Sequence, residues 1–220
     1  VGKLMKALKD MKVDEDTLVV FTSDNGPETL LRYGPRSGRS FGAPTPLRGM
    51  KLWTTEAGFR VAGIMRWPSR IKAGQVIKYP VSALDFLPTF CELAGTKPPQ
   101  DLALDGTSFL PALDNKPITR AKPLVWVYYN ALNKRRVAMR DGNWKVLAKL
   151  NVGKLNKVDG RNEAQVKGAT LSDFQIFDLS KDIGESEDLA KANPDKLTEL
   201  KKKMQTHYKE LVEGSHVWKN

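Results

Sequence analysis

The hydrophobic pattern of this chain predicts an α/β protein that ends in a small antiparallel sheet packed with a carboxyl-terminal helix. Three observations carry that prediction. Val1, Leu4, Met5, Leu8 and Met11 recur at helical spacing and lead into the short β-branched run Thr17 to Thr22. Asp141-Gly142 stands between two apolar segments, a strong short-range hairpin signal. Leu197, Leu200, Met204, Tyr208 and Leu211 hold one face of a long terminal helix.

The elements follow in order along the chain. The first helix covers about residues 1 to 12, and Asp14-Glu15-Asp16 turns the chain into Thr17–Thr22. That run has no polar alternation, so it reads as a strand covered on both faces. Residues 26 to 46 are rich in Gly, Pro, Ser and Arg and read as a long irregular loop, a length that in a compact domain signals function or disorder. Leu52 to Pro68 reads as a strand or two ending at the proline. Pro88 to Ala94 is a short helix stopped by Gly95, with Phe86, Leu87, Phe90 and Leu93 expected on its buried face and Cys91 as one more core residue. The proline-dotted stretch 96 to 123 places a domain boundary toward its end, giving units 1–122 and 123–220. Beyond it, Leu124–Tyr129, the Asp141-Gly142 hairpin and Phe174–Leu179 supply strands, and Asn193 and Pro194 start the final helix.

Composition narrows the function classes. The 220 residues carry 36 Lys and Arg against 25 Asp and Glu, a net charge of +11, which favours anionic partners. Nucleic acid, an acidic membrane surface and a sulfated or phosphorylated substrate all satisfy that charge. Lys201-Lys202-Lys203 reads as a solvated helix face, and no aromatic residues interleave with it in the manner of a nucleic-acid module, so no nucleic-acid partner is expected. No apolar run reaches bilayer length, so no membrane span is expected. One cysteine excludes an internal disulfide. Because Val1 already lies inside an amphipathic pattern, the chain is expected to be a fragment or a processed product.

Two motifs carry the chemistry. "LVVFTSDNGP" runs a strand into Asp24, Asn25, Gly26 and Pro27. In α/β sheets ligands gather beyond the carboxyl ends of strands, and an adjacent Asp and Asn can both offer oxygen to one cation. The same four residues are also good turn chemistry, so both readings stand at this point. "LRGMK" closes the long loop and returns Arg48 and Lys51 toward the same strand ends, where an ammonium is a compact donor for an anionic group. A solvated basic loop is its alternative.

Together these segments resemble the formylglycine-dependent sulfatases of the arylsulfatase family, within the alkaline-phosphatase-like superfamily. The resemblance runs through "VVFTSDNGP", "PLRGMKLWTTEAGFRVAGIMRWPSRIKAG", "VSALDFLPTFCELAG", "LDGTSFLPAL", "VAMRDGNWKVL" and "IFDLSKDIGESEDLA", in the family's order. It implies that residues 1–122 are the end of an alkaline-phosphatase-like α/β sandwich and 123–220 a carboxyl-terminal subdomain. It implies that Asp24 and Asn25 ligate the active-site calcium (Ca2+), and that Lys51 contacts the substrate sulfate. Arg32, Arg36, Arg39 and Arg48 share the loop and offer charge to an anionic glycan, Arg48 as a candidate substrate contact, while each reads first as solvated surface. The implied substrate is a sulfate ester, such as a sulfated carbohydrate, and the implied location is periplasmic, secreted or lysosomal.

The departures are equally informative. The family's nucleophile arises from a Cys/Ser-x-Pro-x-Arg motif, placed early with a pair of metal-binding aspartates. Arg66-Trp67-Pro68-Ser69-Arg70 imitates its end, but Arg66 occupies the position of the modified residue. Cys91 lacks the context too, and His207 and His216 fall in the terminal helix and tail. The chain therefore reads as the carboxyl-side portion of a sulfatase, with the nucleophile and remaining ligands expected from the missing amino-terminal half. A phosphate or phosphonate ester hydrolase of the same superfamily, and a non-catalytic basic module for glycans or nucleic acid, remain the alternatives.

Overall fold

A computed structural model describes residues 1–28, 42–153, 155 and 158–215. The chain forms two compact units, Val1–Ser23 with Ala62–Lys122, and Asp24–Val61 with Pro123–Asn220. In chain order the first half holds α1 (Gly2–Asp10), β1 (Val19–Phe21), α2 (Glu56–Phe59), β2 (Ile64–Arg66), α3 (Phe86–Leu93) and α4 (Leu110–Leu113). The second half holds β3 (Leu124–Val127), β4 (Val137–Asp141), β5 (Trp144–Leu150), α5 (Glu163–Lys167), β6 (Leu171–Asp178) and α6 (Pro194–Gly214).

In the first unit β1 pairs antiparallel with β2, Val19 opposite Arg66 and Phe21 opposite Ile64. The expected burial on both faces is not met: Phe21 is 49% and Ile64 59% exposed. The physical reason is that β2 is the one strand paired with β1 among the described residues, and α1 buries none of its residues. The stretch read as one or two strands ending at Pro68 contains the single turn α2 before β2, because Thr55 sets an extended N-cap ahead of Glu56.

The expected buried face of α3 also needs correction. Leu87 and Phe90 are each 45% exposed, whereas Asp85 and Thr89 are fully buried. Polar bonding selects that face. The Asp85 carboxylate accepts from the backbone N–H of Ser82 at 2.6 Å and of Thr107 at 2.9 Å, and from the Arg120 guanidinium at 2.8 Å. Thr89 Oγ1 donates to the Asp85 carbonyl at 2.6 Å and accepts from Phe109 N–H at 2.9 Å. A Cβ on Gly106 would overlap the Leu84 carbonyl, so glycine is required where "LDGTSFLPAL" crosses "SALDFLPTF". Cys91 is partly buried.

The second unit is built on an antiparallel sheet of order β3-β4-β5-β6. Gly142 (φ 58°) opens the two-residue hairpin loop between Asp141 and Trp144, as the Asp-Gly signal predicts. Strand alternation then divides the side chains. Val137, Met139, Val146, Ala148 and Ile176 meet Leu200, Met204, Tyr208 and Val212 of α6 in one core. Ala138, Leu147 and Phe177 point to the other face, where Phe59 and Trp126 pack. Asn193 sits at the N-cap of α6, although its side chain donates to the Leu189 carbonyl at 3.4 Å rather than capping the helix.

Truncating Met204, which is fully buried, to alanine is expected to cost about 2–5 kcal/mol of unfolding free energy. Lys202→Ala on the exposed face should change it by less than about 0.5 kcal/mol. Urea titration of both variants checks the difference, and equal midpoints would contradict the assigned helix face.

Candidate functional site

Asp24, Asn25, Arg48 and Lys51 all fall in the second unit, and two backbone hydrogen bonds bring their segments together. Gly26 N–H donates to the Gly58 carbonyl at 3.0 Å, and Lys51 N–H donates to the Pro27 carbonyl at 2.9 Å. The first bond requires close approach, since a Cβ on Gly26 would overlap the carbonyl of Ala57. So the glycine after Asp24-Asn25 is more than a turn former: it lets the exit of that dipeptide lie against the segment that carries Lys51. Asp24 is exposed, Asn25 and Lys51 are half-buried, and the Asn25 amide nitrogen donates to the Gly26 carbonyl at 3.0 Å. Arg32, Arg36, Arg39 and His216 lie outside the described residues, and His207 contacts Glu210 at 3.2 Å on α6.

The lysine loop closes on itself. Ala57 N–H at 3.0 Å and Thr55 Oγ1 at 2.7 Å both donate to the Arg48 carbonyl, and Trp53 N–H donates to Met50 O at 3.0 Å. Lys51 sits between Gly49 (φ 89°) and Leu52 (φ 72°). A leucine in the left-handed region costs on the order of 1–3 kcal/mol and persists only where its surroundings impose it. The Leu52 carbonyl accepts from Leu132 N–H at 3.0 Å, and Thr54 Oγ1 donates to the Arg135 carbonyl at 2.6 Å.

Beneath the loop lies a buried charge cluster that sequence reading does not anticipate. Lys145 of β5 is fully buried; its Nζ lies 2.8 Å from Glu56 Oε1 and 3.6 Å from Glu185 Oε1. Both carboxylates are buried as well. Arg140, opposite Lys145 across the ladder, reaches Glu56 Oε2 at 3.4 Å, as does Arg60. The Lys145 ammonium also stands 4.1 Å from the centroid of the Phe59 ring, which stacks on Trp126 at 4.0 Å. The strand alternation that sends Val146 toward α6 sends Lys145 toward α2.

Burial alone would raise the Glu56 carboxyl, but the Lys145 ammonium, aided by Arg140 and Arg60, reverses this and holds it below its ordinary value of 4.5. For Glu185 burial wins over Lys145, and its carboxyl lies above 4.5. The hairpin residue Lys145 escapes a sequence reading because β5 is covered on both faces, so no polar alternation marks it. Glu185 lies in a turn with no periodicity at all.

Calcium takes six to eight oxygen ligands, carboxylates and amide carbonyls among them. Asp24 and Asn25 are donors of the right kind, adjacent and at the accessible end of the site. Among the described residues no group of three or more His, Cys, Asp or Glu forms a metal cluster, so they fit as part of a ligand set and not the whole of one.

The Sulfatase family matches residues 1–96, and the family described as N-sulphoglucosamine sulphohydrolase, C-terminal, matches residues 50–157. The chain belongs to the sulfatase family. It is 32% identical to the human (Homo sapiens) steryl-sulfatase over 216 residues, 93% of this chain and 36% of that protein. It is 32% identical to the pig (Sus scrofa) N-acetylgalactosamine-6-sulfatase over 224 residues, 97% of this chain and 42% of that one. Among solved structures, Ps i-CgsB in complex with k-i-k-neocarrahexaose superposes with a TM-score of 0.70 at 32% identity, covering 94% of this chain and 40% of that one. The sulfatase chain thus spans about two fifths of the length of the relatives it matches. No helix among its described residues is long and apolar enough to cross a membrane.

The two shifts predict opposite pH behaviour. Glu56, held low, contributes stability that is fully present above 4.5 and lost as pH falls through its folded value. Glu185, held high, contributes stability that is present below 4.5 and lost as pH rises through its folded value. Glu56→Gln should therefore be much less stable than the native protein at about pH 7, and the gap should narrow toward about pH 3. Paired denaturant titrations read the gap, and one that widens on acidification would refute the assignment.

Proposed function

We propose that this chain is the carboxyl-side part of a sulfatase that hydrolyses sulfate esters of carbohydrates. The backbone pairing of Lys51 with Pro27, beside that of Gly26 with Gly58, is the observation that carries the reading. It brings the Asp24-Asn25 dipeptide and the loop that carries Lys51 into one neighbourhood, which supports a site for a tetrahedral anionic ester. The division into an alkaline-phosphatase-like catalytic portion, 1–122, and a carboxyl-terminal subdomain, 123–220, belongs to the same proposal.

In this reading Asp24 and Asn25 hold calcium through their side-chain oxygens, with the remaining ligands and the formylglycine nucleophile supplied by the part of the enzyme that this chain does not span. Bound there, the cation would neutralise charge on the nonbridging oxygens of the ester. Lys51 donates hydrogen bonds to the sulfate and stabilises negative charge developing on the departing oxygen, an interaction stronger in the transition state than in the bound ester. Arg48 adds positive potential to the same loop, although its Nη1 also donates to the Glu185 carbonyl at 2.5 Å. A sulfated carbohydrate agrees with the net charge of +11 and with the neocarrahexaose complex of the similar Ps i-CgsB.

The complete enzyme carrying Lys51→Ala should lose turnover of sulfate esters by on the order of 10²–10³-fold, the scale of removing one donor to developing charge. Asp24→Ala should need more calcium for half-maximal activity. Parallel assays on sulfate and phosphate monoesters decide the class: a preference for phosphate, or unchanged turnover in Lys51→Ala, would overturn the reading.

A further inference from the structure

The lysine loop is held at both ends by one residue. Glu185 Oε2 accepts from Glu56 N–H at 2.7 Å, and the Glu185 backbone carbonyl accepts from Arg48 Nη1 at 2.5 Å. Arg48 and Glu56 are the two ends of the closed loop whose middle is Lys51, and the Arg48 carbonyl is itself bonded to Thr55 and Ala57. Glu185 is fully buried and sits at φ 52°, in a turn that is itself fixed. The Asp182 carboxylate accepts from Ser186 N–H at 2.6 Å, Glu187 N–H at 2.9 Å and Ser186 Oγ at 3.0 Å. Gly184 fits against the Pro46 carbonyl, 3.1 Å from where a Cβ would stand. Lys145 then ties the Glu185 and Glu56 carboxylates to β5.

A buried carboxylate whose partners are one backbone N–H and one shared ammonium is costly to keep unless it fixes something. What it fixes is the frame of a side chain with four rotatable bonds. We propose that Glu185 is a positioning residue for Lys51, presenting the ammonium at one place in the sulfate site. The inference rests on the reading that Lys51 contacts the substrate. Glu185 is remote in sequence from Lys51 and touches no reacting atom; it acts on the reaction through the loop. A displacement of about 1 Å at a catalytic group is enough to cost on the order of 10²-fold in rate.

The test is a double-mutant cycle in the complete enzyme, with 4-nitrophenyl sulfate as the probe and circular dichroism verifying that each variant is folded at the assay temperature. Glu185→Ala should lower kcat/KM by about 10- to 100-fold, with the same division between kcat and KM as Lys51→Ala. Added to Lys51→Ala it should cost less than about threefold more, because nothing remains to be positioned. Glu185→Gln keeps an acceptor for Glu56 N–H and should restore most of the loss. Should the alanine variant fail to fold, Glu185→Asp, which draws the acceptor back from Glu56 N–H by one methylene, replaces it in the same cycle. A full loss from Glu185→Ala in both backgrounds, with Lys51→Ala itself impaired, overturns the positioning role and leaves the Lys51 reading standing. Unchanged turnover in Lys51→Ala overturns both.

Discussion

The second unit depends on one ammonium group. Lys145, buried between Glu56 and Glu185, is the point at which the four-stranded sheet and the lysine loop share a charge. An ammonium in that place is unfavourable by itself, since removal from water costs several kcal/mol, about what its pairing must return. Two carboxylates and the face of Phe59 supply that return. Removing Glu56 would leave the buried ammonium with Glu185, at 3.6 Å, as its one carboxylate among the described residues, a loss that deleting an apolar contact does not impose. The sheet contributes Lys145 and Arg140, the loop contributes Glu56, and the turn after β6 contributes Glu185. Three separated stretches of sequence meet there.

That dependence gives the family motifs physical content. "LRGMK" and "TTEAGF" form a closed loop because Thr55 Oγ1 and Ala57 N–H both donate to the Arg48 carbonyl, and "SDNGP" joins it because glycine permits contact with Ala57 and Gly58. "KDIGESEDLA" supplies the Asp182 turn that aims Glu185. In the first unit "LDGTSFLPAL" and "SALDFLPTF" interlock through Asp85 and Thr89. Most of these motif residues therefore hold backbone in place, and the loop they close is the one that carries Lys51.

The legible parts of the sequence are those with local causes. The Asp141-Gly142 hairpin and the register of α6 follow from turn chemistry and from a period of 3.6, both complete within a few residues. The inner face of α3 is not legible in the sequence, because polar Asp85 and Thr89 take it through hydrogen bonds to distant Thr107, Phe109 and Arg120, which no periodicity reports. The exposure of β1 is hidden in the sequence, because an apolar run does not say how many strands flank it. In the candidate site, Asp24, Asn25 and Lys51 stand out by type and by motif, whereas Glu185 and Lys145 matter only through contacts with residues 129 and 89 positions away, respectively.

Native-state hydrogen exchange of the complete protein measures the central claim, that the lysine loop is fixed by the charge cluster beneath it. The amides of Glu56 and Ala57 should exchange about as slowly as those of β5, and Glu185→Ala should release them while α6 stays protected. Fast exchange of Glu56 and Ala57 in the native protein, beside a protected β5, would contradict the claim.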